Sequence, residues 1–421
     1  MNTIAEPARD IPVVADVDVV VVGGGPAGVA AAVGAARGGA STLLVERYGC
    51  LGGQMTAGLV VMLQGETLYD PGGEFFGGVM TEFVGKLKEL GDFWDVSGRG
   101  GMCHFDPELG KCICTLLVDE ADVTVRLHSW AAQVVAGDGR IEAIITESKE
   151  GRQAIRARAF VDCSGDGDLA WFAGADYDYG TKRVTLLYKL SNIDEPRYQA
   201  HTKEHGEQLA EELKRRGLPR FPGAHMSKRI DDLYLAGVHW PPDRPAFEGE
   251  YSTISVPDLT VMEQESRKIL FEALSYYRAN VPGFEEAVLL ETSSQLGVRC
   301  SRQVLGDHLL TIEEVKGEPR EESAIRPDDA IARIGGWGNE FEVPYGCIYS
   351  RSLDNLWVGG RCISATHEAQ GPIRVIPPCM CTGQAAGVAA AMAAQGDMPA
   401  SGVPVADLQA KLREQGMVLR A

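Results

Sequence analysis

Residues 17–55 read VDVVVVGGGPAGVAAAVGAARGGASTLLVERYGCLGGQM, and this stretch decides the fold. It opens with five valines among residues 17–22, a run typical of a strand buried in a parallel β-sheet. A glycine-rich turn follows without a gap, and an alanine-rich segment over 29–37 predicts a helix. A second apolar strand, 43–45, ends at Glu46. The order of strand, glycine turn, helix and strand predicts a βαβ unit.

The glycines and Glu46 give this unit a specific chemistry. Gly23 permits a tight turn, Gly25 lets a phosphate approach the bare backbone, and Gly28 lets the helix lie close to the sheet. The helix N-terminus offers free N–H groups and the positive end of its dipole to an anion. Glu46 follows the turn by about 20 residues, where a carboxylate accepts hydrogen bonds from a ribose. The stretch therefore predicts dinucleotide binding, and the alternative is an ordinary βαβ unit with a chance glycine turn.

Composition and charge exclude several classes of function. The chain has 421 residues, of which 45% are hydrophobic, and its net charge of −19 argues against non-specific binding to nucleic acid or anionic membranes. No run approaches the ~20 apolar residues of a membrane span. The ten cysteines form no CxxC pair, and residues 1–16 contain no apolar signal segment. We therefore expect reduced cysteines and a cytoplasmic protein.

Five motifs in a fixed order carry a resemblance to a known family. They are GGGPAGVAAA (23–32), ERYGCLGGQMTAG (46–58), FVDCSGDGDLAWFAGA (160–175), LGVRCSRQVLGDHLLT (296–311) and NLWVGGRCISATHEAQGPIRVIPPCMCTGQAAG (355–387). In these motifs the chain resembles the FAD-dependent oxidoreductases that are built on a glutathione-reductase-type FAD domain. More narrowly, it is similar to a large, mostly uncharacterised family of FAD-dependent oxidoreductases.

The resemblance implies an α/β fold and a division into domains. It implies a Rossmann-like FAD-binding domain with a central parallel sheet and a β-meander, plus an inserted α+β substrate or cap domain. We expect an N-terminal arm over 1–16, a discontinuous FAD-binding domain over 17–176 and 297–421, and a cap domain over 177–296. The character of the sequence changes in this last region, which combines charged helical segments with clustered prolines.

The resemblance also implies a role for each residue that matches a family motif. The pyrophosphate loop matches Gly23, Gly25, Pro26, Ala27 and Gly28. Glu46 matches the ribose acid, Arg47 flanks the adenine, and Ala132 matches a backbone contact to adenine. A loop that leads towards the flavin matches Gly52, Gly53, Gln54, Met55 and Thr56. The family's second FAD loop matches Gly165 and Asp166.

Two more motifs are expected near the flavin. Gly360 and Arg361 stand where related flavoproteins often have Gly-Asp, so the contact to the ribityl chain is left open, and the arginine could instead reach a phosphate. The helix start that contains Pro378 and Met380 would aim its dipole at the O2 side of the flavin and stabilise negative charge there.

Two departures narrow the chemistry. Disulfide reductases of this fold carry a cysteine pair soon after the Leu-Gly-Gly loop, whereas here Gln54, Met55 and Thr56 follow, so we expect no dithiol relay. No second strand-GxGxxG-helix unit is found, so we expect no separate NAD(P)H domain, although group-A hydroxylases bind NADPH without one.

The candidate catalytic residues lie in the two C-terminal motifs. His367 or Glu368 could take the substrate proton, and the alternative is that His367 only braces the flavin pocket. Arg299, Arg302 and Arg374 could bind a substrate carboxylate or phosphate, and the alternative for each is a salt bridge to one of the many acids. No metal-ligand spacing is found around three further histidines, His201, His205 and His225, so we expect no metal.

The leading functional hypothesis is an FAD-dependent dehydrogenase or oxidase that moves a hydride from a small organic substrate to flavin N5. A hydroxylated ring, a sugar-like alcohol or an amine would suit this reaction, and the electrons would leave to O₂, a quinone or a carrier protein. The alternatives are an NAD(P)H-reduced flavin monooxygenase or reductase, and an electron-transfer subunit of a larger complex. A homodimer is an option that no feature of the sequence specifies.

Overall fold

The valine run forms the central strand of the main sheet. The structure is a computed structural model that describes residues 3–64, 77–95, 102–221, 234–241, 250–317, 329–336 and 339–419. Strand β1, Val13–Val22, pairs in parallel with β2, Thr42–Val45, on one side and with β9, Gly151–Asp162, on the other. Helix α1, Pro26–Arg37, connects β1 to β2, so the βαβ unit predicted from the sequence is confirmed.

The remaining strands and helices of the described residues are as follows. The strands are β3 (Met62–Gln64), β4 (Trp94–Asp95), β5 (Met102–His104), β6 (Thr124–Arg126), β7 (Trp130–Gly137), β8 (Arg140–Ser148), β10 (Tyr177–Tyr179), β11 (Val184–Ser191), β12 (Tyr234–Trp240), β13 (Val288–Thr292), β14 (Arg302–Val304), β15 (Ala330–Gly336), β16 (Asn339–Pro344) and β17 (Leu356–Val358). The helices are α2 (Gly78–Glu89), α3 (Pro107–Asp119), α4 (Asp168–Phe172), α5 (Glu195–Arg216), α6 (Val256–Asn280), α7 (Ile312–Val315), α8 (Gln370–Ile373), α9 (Ile376–Gly396) and α10 (Val405–Glu414).

The main sheet combines a parallel part with an antiparallel meander. Its strand order is β6-β2-β1-β9-β8-β7 among the described residues, and β17 also pairs with β9. The strands β6, β2, β1, β9 and β17 run parallel to their neighbours, whereas β7, β8 and the first half of β9 pair antiparallel. The expected α/β fold with a central, mostly parallel sheet is confirmed.

Helix α9 packs on α1 closely enough that two of its positions must be glycine. A Cβ atom on Gly383 would lie 2.1 Å from the carbonyl oxygen of Ala27, and one on Gly387 would lie 2.0 Å from that of Ala31. Real Cβ atoms do not approach backbone oxygens so closely, so a side chain at either position would force the two helices apart.

This contact predicts opposite effects for the same substitution in two helices. Gly387→Ala should lower the free energy of unfolding by about 3 kcal/mol, the upper end of the usual cost of overpacking. Gly85→Ala in α2 should raise it by about 0.5–1 kcal/mol, because a Cβ there meets no atom within 4 Å and alanine restricts the unfolded chain. Urea unfolding of both variants measures the difference, and equal effects at the two sites would contradict the helix contact.

A second hydrophobic cluster lies around a smaller sheet with the order β12-β11-β13 among the described residues, which we call the cap sheet. Successive residues of its strands alternate between two faces. Leu186 and Tyr188 on β11 and Val238 and Trp240 on β12 point into this cluster, together with side chains from α5 and α6. The opposite face of β11 and β12 therefore does not take part in this cluster.

Candidate cofactor and substrate site

A cavity of about 740 Å³ opens where the parallel strands end. Its lining includes the residues that follow the carboxyl ends of β1, β2, β9 and β17, namely Gly23, Glu46, Cys163 and Gly359. This is the edge of an α/β sheet at which ligands bind. The opposite wall comes from the cap sheet and the loop that follows it, so the cavity lies between the main sheet and the cap sheet.

The glycines at the N-terminus of α1 differ in how much space surrounds them. A Cβ on Gly25 would meet no atom of a described residue within 4 Å, and Gly25 lines the cavity together with Pro26 and Ala27. A Cβ on Gly28 would lie 1.7 Å from the Gly23 carbonyl oxygen, and Gly23 has a φ of +98°. Gly25 therefore leaves space for a ligand, whereas Gly23 and Gly28 are needed for the turn itself.

Glu46 is held in place by backbone donors. Its carboxylate accepts hydrogen bonds from the N–H groups of Gly24 at 2.6 Å and Tyr48 at 2.8 Å. The residue is only 6% exposed and lines the cavity. The carboxylate is thus fixed next to the glycine turn, as a ribose acceptor needs to be.

Beyond Glu46 an aromatic and cationic surface borders the cavity. The Arg47 guanidinium lies 4.9 Å from the ring centre of Tyr48 and 5.6 Å from that of Trp130. Trp130 is 54% exposed, although large aromatic side chains usually pack inside. Ala131 lines the cavity, while the expected contact residue Ala132 is its neighbour and is not among the described lining residues. Sequence reasoning missed Trp130. The only feature that could have indicated it is its position directly after the loop that follows β6.

The loop over 52–56 packs beneath the turn. The Gly52 N–H donates to the Gly24 carbonyl at 2.8 Å, and a Cβ on Gly53 would lie 2.9 Å from Gly25 Cα. Thr56 and Met55 are buried, and the Thr56 hydroxyl donates to the Leu51 carbonyl at 2.7 Å. Gln54 lines the cavity, and its Oε1 atom is buried without a hydrogen-bond partner among the described residues.

A buried ion pair joins the loops after β9 and β17. Arg361 lies 2.8 Å from Asp166, and the Ser301 hydroxyl donates to the same carboxylate at 2.6 Å. Burial alone would raise the pKa of Asp166, but the charge and hydrogen bond of Arg361 outweigh it and hold the pKa below its ordinary value. Gly165, with a φ of +85°, leaves room for the guanidinium, because a Cβ there would lie 2.9 Å from Arg361 Nη2.

Arg302 forms the neighbouring ion pair. It lies 2.9 Å from Asp168, is 6% exposed, and stacks 4.8 Å from the ring centre of Trp171. Arg302 was expected either to bind the substrate or to form a salt bridge, and the structure shows the salt bridge.

Arg299 and Arg374 behave differently, because both line the cavity and no described carboxylate pairs with either. Burial, together with the charge of Arg299, lowers the pKa of Arg374 to about 10, so this side chain is still cationic at neutral pH. Its Nε atom is buried without a hydrogen-bond partner in the described parts of the chain. Arg299 donates to the Arg183 carbonyl at 2.6 Å and to the Thr185 hydroxyl at 2.7 Å.

The expected catalytic pair lies outside the cavity lining. The Nδ1 atom of His367 is 3.3 Å from the sulfur of Cys300, the ring packs against Gly180, and Glu368 is exposed. His239 on β12 lines the cavity instead, and its Nδ1 atom lies 2.9 Å from the Thr185 hydroxyl. Sequence reasoning missed His239, because a histidine in a short strand carries no local signal of its chemistry.

The start of α9 contributes two residues to the cavity lining, and neither is one of those expected. Pro378 and Met380 are buried in the helix, whereas Ile376 and Cys379 line the cavity. Burial raises the pKa of the Cys379 thiol to about 12, which outweighs the opposite influence of Arg361 and Arg374. Cys379 is therefore a neutral thiol at pH 7 rather than a nucleophile.

The described ranges contain neither a cluster of metal ligands nor a membrane-spanning helix. No group of three histidine, cysteine, aspartate or glutamate side chains there is placed to hold a metal ion, and His225 lies outside those ranges. No helix in the same ranges is long and apolar enough to cross a membrane.

The residues of the cavity fit FAD. Gly25 with its open space, Glu46 with its fixed carboxylate and the polar side chain of Gln54 all line one continuous cavity. Its volume falls within the ~300–1,000 Å³ that is usual for cofactor and ligand sites.

Comparisons with known proteins place the chain in a family. The family model described as FAD dependent oxidoreductase matches residues 18–412. A search of curated proteins finds no match. Among solved structures, a geranylgeranyl bacteriochlorophyll reductase-like protein from Thermoplasma acidophilum is 14% identical, with a TM-score of 0.48 over 96% of this chain and 84% of that one.

Two further solved structures are similar at the same level. CabE, an aromatic hydroxylase from angucycline biosynthesis, is 13% identical, with a TM-score of 0.49 over 95% of this chain and 69% of that one. The myxobacterial chondrochloren halogenase CndH is also 13% identical, with a TM-score of 0.49 over 95% and 78% of the two chains. Because the family model spans most of its length, the protein belongs to the FAD dependent oxidoreductase family and is an FAD-dependent enzyme.

Proposed function

We propose that this enzyme oxidises a small organic substrate that carries a negative charge, acting as a dehydrogenase or oxidase. The observation that carries the proposal is the pair of cavity-lining arginines, Arg299 and Arg374, which have no carboxylate partner among the described residues. In a protein with a net charge of −19, cations that line a cavity without an acid beside them need an anion from elsewhere.

The FAD-binding residues are proposed from their positions around the cavity. The glycine turn and the N-terminus of α1 would face the pyrophosphate, Glu46 would accept from the ribose, and Arg47 with Trp130 would border the adenine. The loops with Gly53, Gln54, Gly165 and Gly360 would enclose the remaining length of the cofactor. When bound, FAD supplies a two-electron acceptor for a hydride.

The division of the chain follows from the same arrangement. We propose that 17–176 and 297–421 form the FAD-binding domain and that 177–296 form the cap domain that supplies the substrate wall. The second hydrophobic cluster supports this division, because its buried members run from Val184 to Leu296. Arg299 lies just after this region, where the chain returns to the FAD-binding domain, and would bind the substrate from there.

The protein's own residues bind and orient the substrate. Arg374 and Arg299 would hold the anionic group, and a bidentate contact to an arginine also fixes its orientation. His367 or Glu368 was the expected proton acceptor, but neither is among the described residues that line the cavity.

An anaerobic absorbance titration tests the proposed reaction. The purified protein with bound FAD is titrated first with NADH and NADPH, and then with alcohols and amines that carry a carboxylate or phosphate. We expect the oxidised flavin band to bleach with a member of the second group only. Rapid bleaching by a pyridine nucleotide would instead support the monooxygenase or reductase alternative. A flavin that no small molecule reduces, in a protein that co-purifies with an iron–sulfur or quinone protein, would support the electron-transfer subunit.

Substitution of Arg374 tests the anion site separately. Arg374→Gln should weaken the binding of benzoate, followed by the change in the flavin absorbance, by about 10- to 100-fold, or about 1.4–2.7 kcal/mol. Arg351→Gln is the matched control, because Arg351 pairs with Asp176 outside the cavity lining. Unchanged benzoate affinity in the Arg374 variant would contradict the assignment of Arg374.

A further inference from the structure

The face of the cap sheet that points away from its own hydrophobic cluster carries a pair of polar residues. Thr185 on β11 and His239 on β12 are direct partners in the antiparallel register, so their side chains emerge on the same face. Leu187 and Gly237 form the next pair on that face, and all four residues line the cavity. The sheet therefore presents Thr185 and His239 to whatever occupies the cavity.

Arg299 is connected to this pair by hydrogen bonds. One guanidinium nitrogen of Arg299 donates to the Thr185 hydroxyl at 2.7 Å, and the same hydroxyl lies 2.9 Å from His239 Nδ1. The Nη2 and Nε atoms of Arg299 make no hydrogen bond to a described residue, so they are available to an anion. A hydroxyl oxygen can accept two hydrogen bonds, so it can accept from Arg299 and from a protonated Nδ1 together.

We propose that His239 is the proton acceptor for the substrate and that its protonation is coupled, through Thr185, to the binding of an anionic substrate group by Arg299. This inference rests on the proposed function and adds to it the residue that takes the proton. With Nδ1 facing Thr185, Nε2 is the ring nitrogen that is left for the substrate. Thr185 is a positioning residue, because it acts by fixing the orientation of the imidazole and of Arg299.

Oxidation of a carbon that bears a hydroxyl or amino group breaks its C–H bond and its O–H or N–H bond and forms a C=O or C=N bond. The electron pair leaves with the hydride to the enzyme's flavin, and the proton goes to His239 Nε2 and then to solvent. The substrate class is thus an alcohol or amine with a carboxylate or phosphate within reach of Arg299.

The charges around His239 favour this role. Burial, with the positive charges of Arg299 and Arg183, lowers the pKa of His239, so its imidazole is neutral and able to accept a proton at pH 7. From α6, Glu263 lines the same cavity, but it forms an ion pair with Arg267. Besides Arg299, the lining arginines that are not in an ion pair with a described residue are Arg374 and Arg47, and Arg47 donates a hydrogen bond to Gln295. An anion bound at Arg299 would offset the positive potential and raise the pKa of His239.

The test is an NMR titration of histidine ring signals in the FAD-loaded enzyme, with benzoate as the anionic probe and benzamide as its neutral counterpart. His239→Gln assigns the signal, and His205→Gln, on the exposed helix α5, is the matched control. We expect benzoate to raise the pKa of His239 by about one unit and benzamide to leave it unchanged. Arg299→Gln should abolish the benzoate effect and should itself raise the pKa of His239 in the free enzyme.

Thr185 is tested by rescue. Thr185→Val should weaken the coupling between benzoate and the pKa of His239, whereas Thr185→Ser, which keeps the hydroxyl, should retain it. A purely structural role would make the two variants alike in this readout.

The outcomes separate this inference from the proposed function. If benzoate binds and perturbs the flavin but the pKa of His239 does not move, the coupling is overturned while the anion site stands. If benzoate does not bind at all, the anionic substrate of the proposed function is overturned, and this inference falls with it. Equal shifts with benzoate and benzamide would also overturn it, because charge would then not be the cause.

Discussion

Gly25→Val should give a folded protein that has lost FAD. A Cβ at Gly25 meets no atom of the described residues within 4 Å, and the backbone there has φ −69° and ψ −176°, which valine adopts readily. The added methyl groups would occupy the space above the N-terminus of α1, where a pyrophosphate has to approach the backbone. We expect the Kd for FAD to rise at least about 100-fold, or about 2.7 kcal/mol.

The measurement is a fluorescence titration of the apoprotein with FAD, together with thermal unfolding of both apoproteins. Gly85→Val is the matched control, because a Cβ there also meets no atom within 4 Å but lies outside the cavity lining, so FAD affinity should be unchanged. Gly28→Ala should behave in the opposite way and fail to fold normally, since its Cβ would lie 1.7 Å from the Gly23 carbonyl oxygen. An unaltered FAD affinity in the Gly25 variant would show that the cofactor does not lie on this turn.

Arg361→Met should destabilise the apoprotein by about 3–5 kcal/mol, because it leaves the buried carboxylate of Asp166 without its cation. The pair is separated by 2.8 Å, and among the described residues only the Ser301 hydroxyl, at 2.6 Å, would still donate a hydrogen bond to the carboxylate. Methionine keeps most of the side-chain volume, so the effect reports the lost charge rather than a cavity. Urea unfolding of the apoprotein measures it without any contribution from the cofactor.

The loss of stability in Arg361→Met should depend on pH in a definite direction. Because the folded-state pKa of Asp166 lies below its unfolded value, the ion pair contributes stability above about pH 4. That contribution is lost as the pH falls through the folded-state pKa. The difference between wild type and Arg361→Met should therefore be largest at neutral pH and shrink as the pH falls below about 4.

A double-mutant cycle provides the control. Asp166→Asn combined with Arg361→Met removes both charges and should be more stable than Arg361→Met alone, with a coupling free energy of at least about 1 kcal/mol. Additive effects of the two single substitutions would contradict a direct interaction between them.

Sequence alone predicted the parts of the protein that depend on neighbours along the chain. The βαβ unit over 17–46 was predicted from a valine run, a glycine turn and a helix former, and the structure confirms it. The family, the FAD cofactor and the α/β fold are confirmed as well. The roles of individual cofactor-binding residues and the domain boundaries stay predictions, although most of the glycine and acid positions line the cavity.

The residues on the cap-sheet side of the cavity are brought together by tertiary structure and are not neighbours along the chain. His239 and Thr185 are separated by 54 residues, and only the pairing of β11 with β12 places them opposite each other. Arg299 and Arg302 come from one motif, yet Arg302 is neutralised by Asp168, while no described acid pairs with Arg299. His367 had the right chemistry in the right motif, but the chain turns its ring towards Cys300.

The physical reason for this division lies in the range of the interactions. A glycine turn, a helix start and a buried strand are fixed by local sterics and by the periodicity of apolar residues, so they can be read from a short stretch. The charge state and direction of an arginine or histidine depend on which groups a distant strand brings within a few ångströms. The sequence by itself therefore determined the fold and the cofactor of this protein, and the tertiary structure decided which polar side chains line the cavity without an ion-pair partner among the described residues.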